Sequence, residues 1–242
     1  MTEVFLTRLV LFLLVFLLEG KLIVIEGTDG SGKTTQSKML LHRLEESNYK
    51  TAYVDFPKHG EKSAGMVDNY LTGKYGSVDK VDPKIASIFY AVDRYDSSFD
   101  LRSALLEGRV VISNRYVTAS IGHQACKISD KKKRHEFIDW LEDLEYNFFA
   151  IPRPDLVILL FVPYSISKKL VESKGKREYL GSKKDIHESD MGHILSAERT
   201  FLEIAKEKNW VVIDCASNGK ILPIEEINKK VFSVVKEFLE TK

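Results

Sequence analysis

Short apolar runs alternate along this chain with longer stretches whose apolar residues recur at helical spacing. The runs are rich in Val, Ile and Leu without polar alternation, which is typical of parallel strands buried on both faces. We predict strands at 22–26, 51–55, 110–113, 156–161 and 210–214. Because helical stretches separate them, the pattern predicts an α/β fold with a doubly wound, five-stranded parallel sheet flanked by helices.

The helical stretches follow the same order as the strands they connect. Their periodicity predicts helices at 33–47, 62–70, 83–96, 101–107, 130–148, 165–172, 191–208 and 224–239. No internal repeat or low-complexity linker divides the chain after residue 20. We therefore predict one domain over 21–242, preceded by an apolar extension over 1–20.

The extension contains an uninterrupted apolar run at 9–18. A bilayer-spanning helix needs about twenty apolar residues, so the run is too short to span easily. No small-residue cleavage site of a signal peptide follows it before the first predicted strand. Three interpretations stay open: a helix packed on the domain or a partner, a weak membrane anchor, or a translated upstream extension. We favour the first or the third.

Composition narrows the class of protein. The 242 residues suit one large domain with a substantial core. A formal net charge of +1 gives no reason to expect nucleic-acid binding or broad attraction to a membrane surface. Cys126 and Cys215 lie far apart, and we interpret both as reduced thiols. We expect a cytoplasmic protein.

Residues 27–34 read G-x-x-x-x-G-K-T, the phosphate-binding loop, between an apolar strand and a helix. Glycines let backbone N–H groups turn toward phosphate oxygens, and the helix N-terminus adds partial positive charge. Lys33 would reach the β- and γ-phosphates of ATP, and the Thr34 hydroxyl would ligate Mg²⁺. The predicted nucleotide site comprises Gly27, Thr28, Asp29, Gly30, Ser31, Gly32, Lys33, Thr34 and Thr35.

Two further motifs are candidates for holding a second substrate. Phe56, Pro57 and Lys58 follow the second strand, where a cation would face the phosphates, although a surface lysine in a turn is an alternative. Tyr90 and Arg94 are four residues apart and share a helix face. Together they could stack on a base and donate hydrogen bonds to it, or they could be a core tyrosine and a surface ion-pair residue.

The third strand ends in Asn114 and Arg115. In phosphate-binding-loop enzymes a strand that ends in this way usually brings an aspartate to the Mg²⁺ ligands. The side chain here is a neutral amide, whereas Arg115 could hold an acceptor phosphate bidentately.

A polar, basic stretch punctuated by glycine occupies 174–190. Its composition favours a mobile lid, in which Lys176, Arg177, Lys183 and Lys184 could neutralise charge on a transferred phosphoryl group. A solvated loop is the alternative for each lysine taken singly.

Taken in order, these motifs resemble those of the thymidylate kinase family, among the P-loop nucleoside monophosphate kinases. The resemblance runs from about residue 21 to the C-terminal helix and includes the phosphate-binding loop, Phe56-Pro57-Lys58, Tyr90 to Arg94, Asn114-Arg115-Tyr116 and the lid. It implies transfer of the ATP γ-phosphoryl group to dTMP with Mg²⁺, giving dTDP for dTTP synthesis. It also implies a homodimer, for which an apolar helix face between residues 83 and 148 could serve.

The resemblance also implies roles for single residues. Asp29 would bind the acceptor's 3′-hydroxyl, and Tyr90 would stack on thymine. Phe56, in the Phe-Pro segment, would also belong to the substrate site. His123 and Gln124 would line the deoxyribose and base. The basic residues that would grip the acceptor are Lys58, Arg94 and Arg115. The phosphate-binding loop has no arginine, so the lid would supply the catalytic one, Arg177; the predicted catalytic group is Lys33, Asn114, Arg115 and Arg177.

Asn114 departs from the family pattern, which has aspartate at this position. The loss of a negative charge near Mg²⁺ would slow transfer by roughly two or more orders of magnitude unless another group compensates. Glu26, at the same end of the neighbouring strand, is one candidate, and Asn114→Asp is expected to raise kcat if the missing charge limits catalysis. Two alternatives therefore stay open: another nucleotide or deoxynucleoside kinase, and a catalytically impaired nucleotide-binding regulatory protein.

Overall fold

A computed structural model describes residues 20–173 and 191–241 of the chain. Within these ranges, parallel strands form one five-stranded sheet in the order β2-β3-β1-β4-β5. The strands are β1 (Lys21–Glu26), β2 (Thr51–Asp55), β3 (Val110–Asn114), β4 (Leu156–Phe161) and β5 (Val211–Asp214). The predicted fold class is confirmed, and each predicted strand begins and ends within one residue of the observed one.

Helices connect the strands, and a short antiparallel pair of strands, Ala216–Ser217 and Lys220–Ile221, follows β5. The helices are α1 (Lys33–Glu46), α2 (Gly65–Leu71), α3 (Pro83–Leu106), α4 (Val117–Ala125), α5 (Lys131–Glu142), α6 (Tyr164–Ser173), α7 (Met191–Glu207) and α8 (Ile224–Glu240). A π-helical segment, Asp143–Phe148, continues directly from α5.

The sheet is covered on both faces, which explains why the middle residues of its central strand β1, Leu22 to Ile25, are all apolar. In β1, Leu22 and Val24 belong to the core on the side of α3, α4, α5 and α7. Ile23 and Ile25 belong to the core on the side of α1 and α8. Successive side chains of a strand point to opposite faces, so the run Leu22 to Ile25 is apolar on both faces of β1.

The predicted helices at 83–96 and 101–107 are one continuous helix, α3, so the predicted break between them is wrong. The helix begins with Pro83 after the N-cap residue Asp82, whose carboxylate accepts hydrogen bonds from two backbone N–H groups. At the expected break, the Ser97 and Ser98 hydroxyls donate to carbonyl oxygens of Asp93 and Tyr95 within the same helix. These serines are therefore accommodated inside the helix rather than ending it.

Two other features were not predicted. Helix α4 follows β3 after two residues, and the predicted helix at 130–148 changes to π-helical geometry at Asp143. Helix α4 packs tightly on α7: a Cβ built on Gly122 would lie 2.1 Å from the ring of Phe201. Only glycine permits this approach, and that requirement is visible only once α7 is in place.

The register of the sheet brings three strand ends to one edge. Ile25 of β1 lies opposite Asn114 of β3, and Asn114 lies opposite Asp55 of β2. The phosphate-binding loop leaves β1 at this edge, so the polar ends of β2 and β3 lie beside it. Across residues 20–173 and 191–241, no helix is both long and apolar enough to cross a membrane. The extension at 1–19 and the predicted lid at 174–190, with Arg177, lie outside the described residues.

Candidate active site

The phosphate-binding loop has the backbone geometry that anion binding requires. Gly27, Gly30 and Gly32 have positive φ angles of 149°, 82° and 87°. No side chain caps the N-terminus of α1, so its first N–H groups remain available to an anion. The Lys33 ammonium donates to the carbonyl oxygens of Gly27 and Thr28, both at 2.8 Å, and is thereby held over the loop.

A cavity of about 840 Å³ extends from the loop to α3 and α4. It brings together most of the residues that the sequence predicted for the site. Those lining it are Asp29, Gly30, Gly32, Lys33, Thr34, Thr35, Phe56, Lys58, Tyr90, Arg94, Asn114, Arg115 and Gln124. Three other residues of the loop, Gly27, Thr28 and Ser31, are buried and do not line the cavity.

Arg115 and Asp29 form an ion pair across the floor of the cavity, with Nη2 2.5 Å from Oδ1. Arg115 has a φ of 66°, an unusual conformation for a residue with a side chain, and its backbone N–H donates to Ile25. Its Nη1 lies 3.2 Å from Nε2 of His123. Burial and the Arg115 charge lower the pKa of His123 well below its ordinary value, so the imidazole is neutral at physiological pH.

Lys58 is positioned by a carboxylate that sequence reasoning missed. Asp93, a buried residue of α3, accepts from the backbone N–H of Lys58 at 2.9 Å and from the Ser63 hydroxyl at 2.7 Å. The loop after β2, which includes a cis peptide bond between Phe56 and Pro57, is therefore tied to α3. Asp93 lies within the Tyr90 to Arg94 motif, but its partner Lys58 is 35 residues away in the sequence. The motif alone therefore does not reveal the contact.

Arg94 is held by a second carboxylate that the sequence did not reveal. Glu145, in the π-helical segment, accepts from Nε and Nη2 of Arg94, both at 2.6 Å. Burial raises the pKa of the Glu145 carboxyl and the Arg94 charge opposes that effect; the bidentate contact favours the ionised pair. The guanidinium also donates to Ser120 Oγ and to the Tyr116 carbonyl. Arg94 therefore reaches the cavity as a rigid group.

Gln124 of α4 and Tyr90 of α3 line the same cavity. Gln124 is 1% exposed, and among the described residues neither its amide nitrogen nor its amide oxygen has a hydrogen-bond partner. A buried amide with neither bond made is costly, so Gln124 is a candidate for binding a ligand in the cavity. The Tyr90 ring meets Tyr70 edge-on, with centroids 6.3 Å apart.

At the edge beside the loop, Asn114 connects two other polar groups. Its amide nitrogen donates to Thr34 Oγ1 at 3.1 Å and to Asp55 Oδ1 at 2.8 Å. Its amide oxygen is buried and has no partner among the described residues. The other oxygen of Asp55 accepts from the Tyr53 hydroxyl at 3.0 Å.

The sequence model of one protein family, described as thymidylate kinase, matches residues 25–229. The chain belongs to the thymidylate kinase family. It is 28% identical over 220 residues to a probable thymidylate kinase of Methanocaldococcus jannaschii, covering 91% of this chain and 98% of that one. It is 33% identical over 159 residues to a probable thymidylate kinase of Pyrococcus horikoshii, covering 65% of this chain and 73% of that one.

The fold is also that of a solved thymidylate kinase. The structure of the enzyme from Candida albicans superposes with a TM-score of 0.68 at 21% identity, covering 90% of this chain and 92% of that chain. The thymidylate kinase resemblance deduced from the motifs is thus confirmed, and so is the P-loop sheet that the pattern predicted. The roles of the individual site residues stay predictions.

Proposed function

We propose that this member of the thymidylate kinase family transfers the γ-phosphoryl group of ATP to dTMP, giving dTDP. The observation that carries the proposal is the single cavity that joins the phosphate-binding loop to Gln124. The loop offers backbone N–H groups and Lys33 to phosphates, and Gln124 on α4 offers an unsatisfied amide to a nucleobase. Arg115 contacts Asp29 of the loop and His123, the neighbour of Gln124, so it lies where nucleotides bound at the loop and at Gln124 would meet.

The family implies that the nucleotide is bound with Mg²⁺, and the residues present fit that ion. The Thr34 hydroxyl and the amide oxygen of Asn114 are hard oxygen ligands. The Asn114 amide lies against Thr34, with Nδ2 3.1 Å from Oγ1, and its oxygen is buried and has no partner among the described residues. When bound, Mg²⁺ neutralises negative charge on the phosphate oxygens. Thr34 and Asn114 are therefore the groups we assign to hold it.

The protein's own groups account for the remaining steps. Lys33 would leave its contacts with Gly27 and Thr28 and place its charge on the phosphate oxygens of ATP. Arg115 and Lys58 would hold the acceptor phosphate in line with the γ-phosphate. Asp29, already paired with Arg115, would fix the guanidinium and contact the acceptor sugar. The proposed catalytic Arg177 lies outside the described residues.

The base site would combine stacking and hydrogen bonding. Tyr90 offers an aromatic face, Arg94 offers a guanidinium fixed by Glu145, and Gln124 offers one donor and one acceptor. A thymine edge presents both an N–H donor and carbonyl acceptors, so it can satisfy both polar atoms of an amide.

We further propose a homodimer formed through α3. Apolar side chains between 38 and 76% exposed recur along this helix at intervals that place them on one side. They are Ile85, Ile88, Val92, Tyr95, Phe99 and Leu106. A continuous exposed apolar stripe of this kind marks an interaction surface, and a two-fold dimer buries the same stripe of both copies. A cytoplasmic location without nucleic-acid partners stays part of the proposal.

The acceptor is tested by coupled ADP release with dTMP, dUMP, dCMP, dGMP and AMP as acceptors. We expect dTMP to give the highest kcat/KM, because Tyr90, Arg94 and Gln124 form its base site. A Lys33→Met variant purified in parallel controls for kinases carried over from the expression host, and its rate should fall by at least about a hundredfold. If the protein binds ATP but none of these monophosphates stimulates ADP release, the proposed kinase activity is refuted.

A further inference from the structure

The site contains a carboxylate that the family motif does not include. We propose that Asp55, at the end of β2, supplies the negative charge at the Mg²⁺ site that Asn114 lacks. The inference rests on the proposed function, since the ion concerned is the one bound with ATP. The Asp55 carboxylate and the Asn114 amide would together replace the single aspartate that the family has at position 114.

The sheet register places Asp55 where such a relocation is possible. Asp55 and Asn114 are directly opposite each other at the ends of β2 and β3. Both line the cavity beside Thr34. A side chain that ends a neighbouring strand at the same level reaches the same space as the residue it replaces.

Hydrogen bonds connect Asp55 to the predicted metal ligand. The amide nitrogen of Asn114 donates to Asp55 Oδ1 at 2.8 Å and to Thr34 Oγ1 at 3.1 Å. Since a carboxylate only accepts hydrogen bonds, Asp55 forces the nitrogen of Asn114 toward itself. The amide oxygen is thereby turned away from Asp55, buried and without a partner among the described residues. Asp55 thus both supplies charge and fixes the orientation of a neutral ligand.

The spacing indicates that Asp55 acts from outside the first shell of ligands. The two hydrogens of an amide nitrogen point in different directions, which places Asp55 Oδ1 and Thr34 Oγ1 roughly 5 Å apart. Two ligands of one Mg²⁺ are at most about 4 Å apart. Because Mg²⁺ keeps several bound waters, a carboxylate at this distance can accept from one of them and still contribute its charge.

Glu26, the compensating group suggested by the sequence, is poorly placed by comparison. It is fully buried, and its oxygens accept from the backbone N–H of Gly27 at 3.0 Å and from the Thr118 hydroxyl at 2.8 Å. It does not line the cavity that holds Thr34 and Asn114. Asp55, in contrast, lines that cavity and is steadied by the Tyr53 hydroxyl at 3.0 Å from its second oxygen.

The test measures metal binding rather than turnover. Mn²⁺ serves as a paramagnetic substitute for Mg²⁺, and its affinity for the enzyme saturated with a non-hydrolysable ATP analogue is followed by electron paramagnetic resonance. Asp55→Asn should weaken Mn²⁺ binding by about tenfold or more, as loss of an outer carboxylate usually does. The control is Asp100→Asn, which removes another carboxylate of the cavity wall and should leave the affinity unchanged. Equal affinities in the two variants would overturn the proposal.

Moving the charge gives a second measurement. Asn114→Asp alone would set two carboxylates in contact, so it should lower the melting temperature instead of simply raising kcat. Combining it with Asp55→Asn moves the single carboxylate to position 114, and Mn²⁺ affinity should return to within about threefold of the original. A double variant that binds Mn²⁺ as weakly as Asp55→Asn would contradict the exchange. If Asp55→Asn does not fold, the double variant is compared with the original protein instead: Mn²⁺ affinity within about threefold supports the proposal, and a loss of about tenfold or more overturns it.

The two proposals can fail separately. Mn²⁺ binding needs no acceptor, so a loss of affinity in Asp55→Asn supports the metal role even if dTMP proves not to be a substrate. Conversely, an original protein that phosphorylates dTMP, with unchanged Mn²⁺ affinity in Asp55→Asn, retains the proposed function and loses this inference.

Discussion

Arg94 is among the largest fully buried side chains of the described residues, and it carries a full charge. A buried charge is tolerated only with a partner, and Glu145 provides a bidentate one. The pair is therefore a requirement for folding as well as a support for the base site. It lies between α3 and the π-helical segment, 51 residues apart in sequence.

Replacement of Glu145 by glutamine should destabilise the protein by about 3 to 5 kcal/mol, because Arg94 would keep a buried charge without a counter-ion. Urea unfolding followed by circular dichroism measures this difference. Glu142→Gln is the matched control: it removes a partly exposed partner of Lys208, and its cost should stay below about 1 kcal/mol. If the two variants unfold at the same urea concentration, another group compensates the charge of Arg94.

His123 links stability to pH. Burial and the Arg115 charge lower its pKa, with smaller contributions from His193 and Lys33, while Asp29 acts in the opposite direction. In the unfolded chain the pKa returns to about 6.5. Below that pH the unfolded state binds a proton that the folded state does not, so stability falls as the pH falls and is fully recovered above it.

The His123 contribution should be visible as a difference between variants. Between about pH 7.5 and pH 5.5 the free energy of unfolding, measured by urea unfolding at each pH, should fall more steeply for the original protein than for His123→Gln. The difference in slope should be up to about 1.4 kcal/mol per pH unit. His42→Gln, which removes an exposed histidine of α1, should leave the pH dependence of the original protein intact. If the free energy of unfolding depends on pH in the same way for the original protein and for His123→Gln, this role of His123 is ruled out.

At the level of elements, β1, the phosphate-binding loop and α1 act as one unit. Gly27 joins them with a φ of 149°, and a Cβ there would lie 2.6 Å from the Leu160 carbonyl oxygen and 2.7 Å from Ser31 Oγ. The turn of the loop and the close approach of β4 to it are therefore possible only with glycine at this position.

Gly27→Ala should cost about 2 to 4 kcal/mol, from backbone strain and overpacking, and should weaken ATP binding as the loop shifts. Gly65→Ala is the control, since a Cβ at this first residue of α2 meets nothing within 4 Å. It should be neutral or stabilise by up to about 1 kcal/mol. Denaturant unfolding and isothermal calorimetry with ATP report both effects, and a Gly27→Ala protein that binds ATP normally would contradict the expectation.

At the level of the whole molecule, the apolar stripe of α3 is exposed in the single chain. Phe99 is 58% exposed near its middle. A charge placed in a buried dimer interface is strongly unfavourable, whereas one on a solvated helix changes little.

Phe99→Glu should therefore convert the dimer to monomers at micromolar concentration, measured by light scattering after size-exclusion chromatography. Lys38→Glu, which also adds negative charge but on exposed α1, should leave the dimer intact. If the original protein is a monomer, the proposed dimer is wrong. If Phe99→Glu is still a dimer, the interface does not involve this part of α3.

The sequence by itself determined the alternation of strands and helices, the phosphate-binding loop and the residues at the carboxyl ends of β1, β2 and β3. These follow from local periodicity and from the chemistry of short motifs, so Gly27 to Thr35, Phe56, Lys58, Asn114 and Arg115 could be found without coordinates. Asp55 could have been noticed too, because it directly precedes Phe56 at a strand end.

Only the tertiary structure decided how the charged groups pair. Asp93 positions Lys58, Glu145 holds Arg94, and Asp55 contacts Asn114 across 35, 51 and 59 residues of sequence respectively. Such pairs depend on strand register and helix packing, which no local pattern encodes. The neutral amide of Asn114 looks like a defect in the motif when it is considered alone. The sheet places Asp55 beside it because β2 and β3 end at the same level.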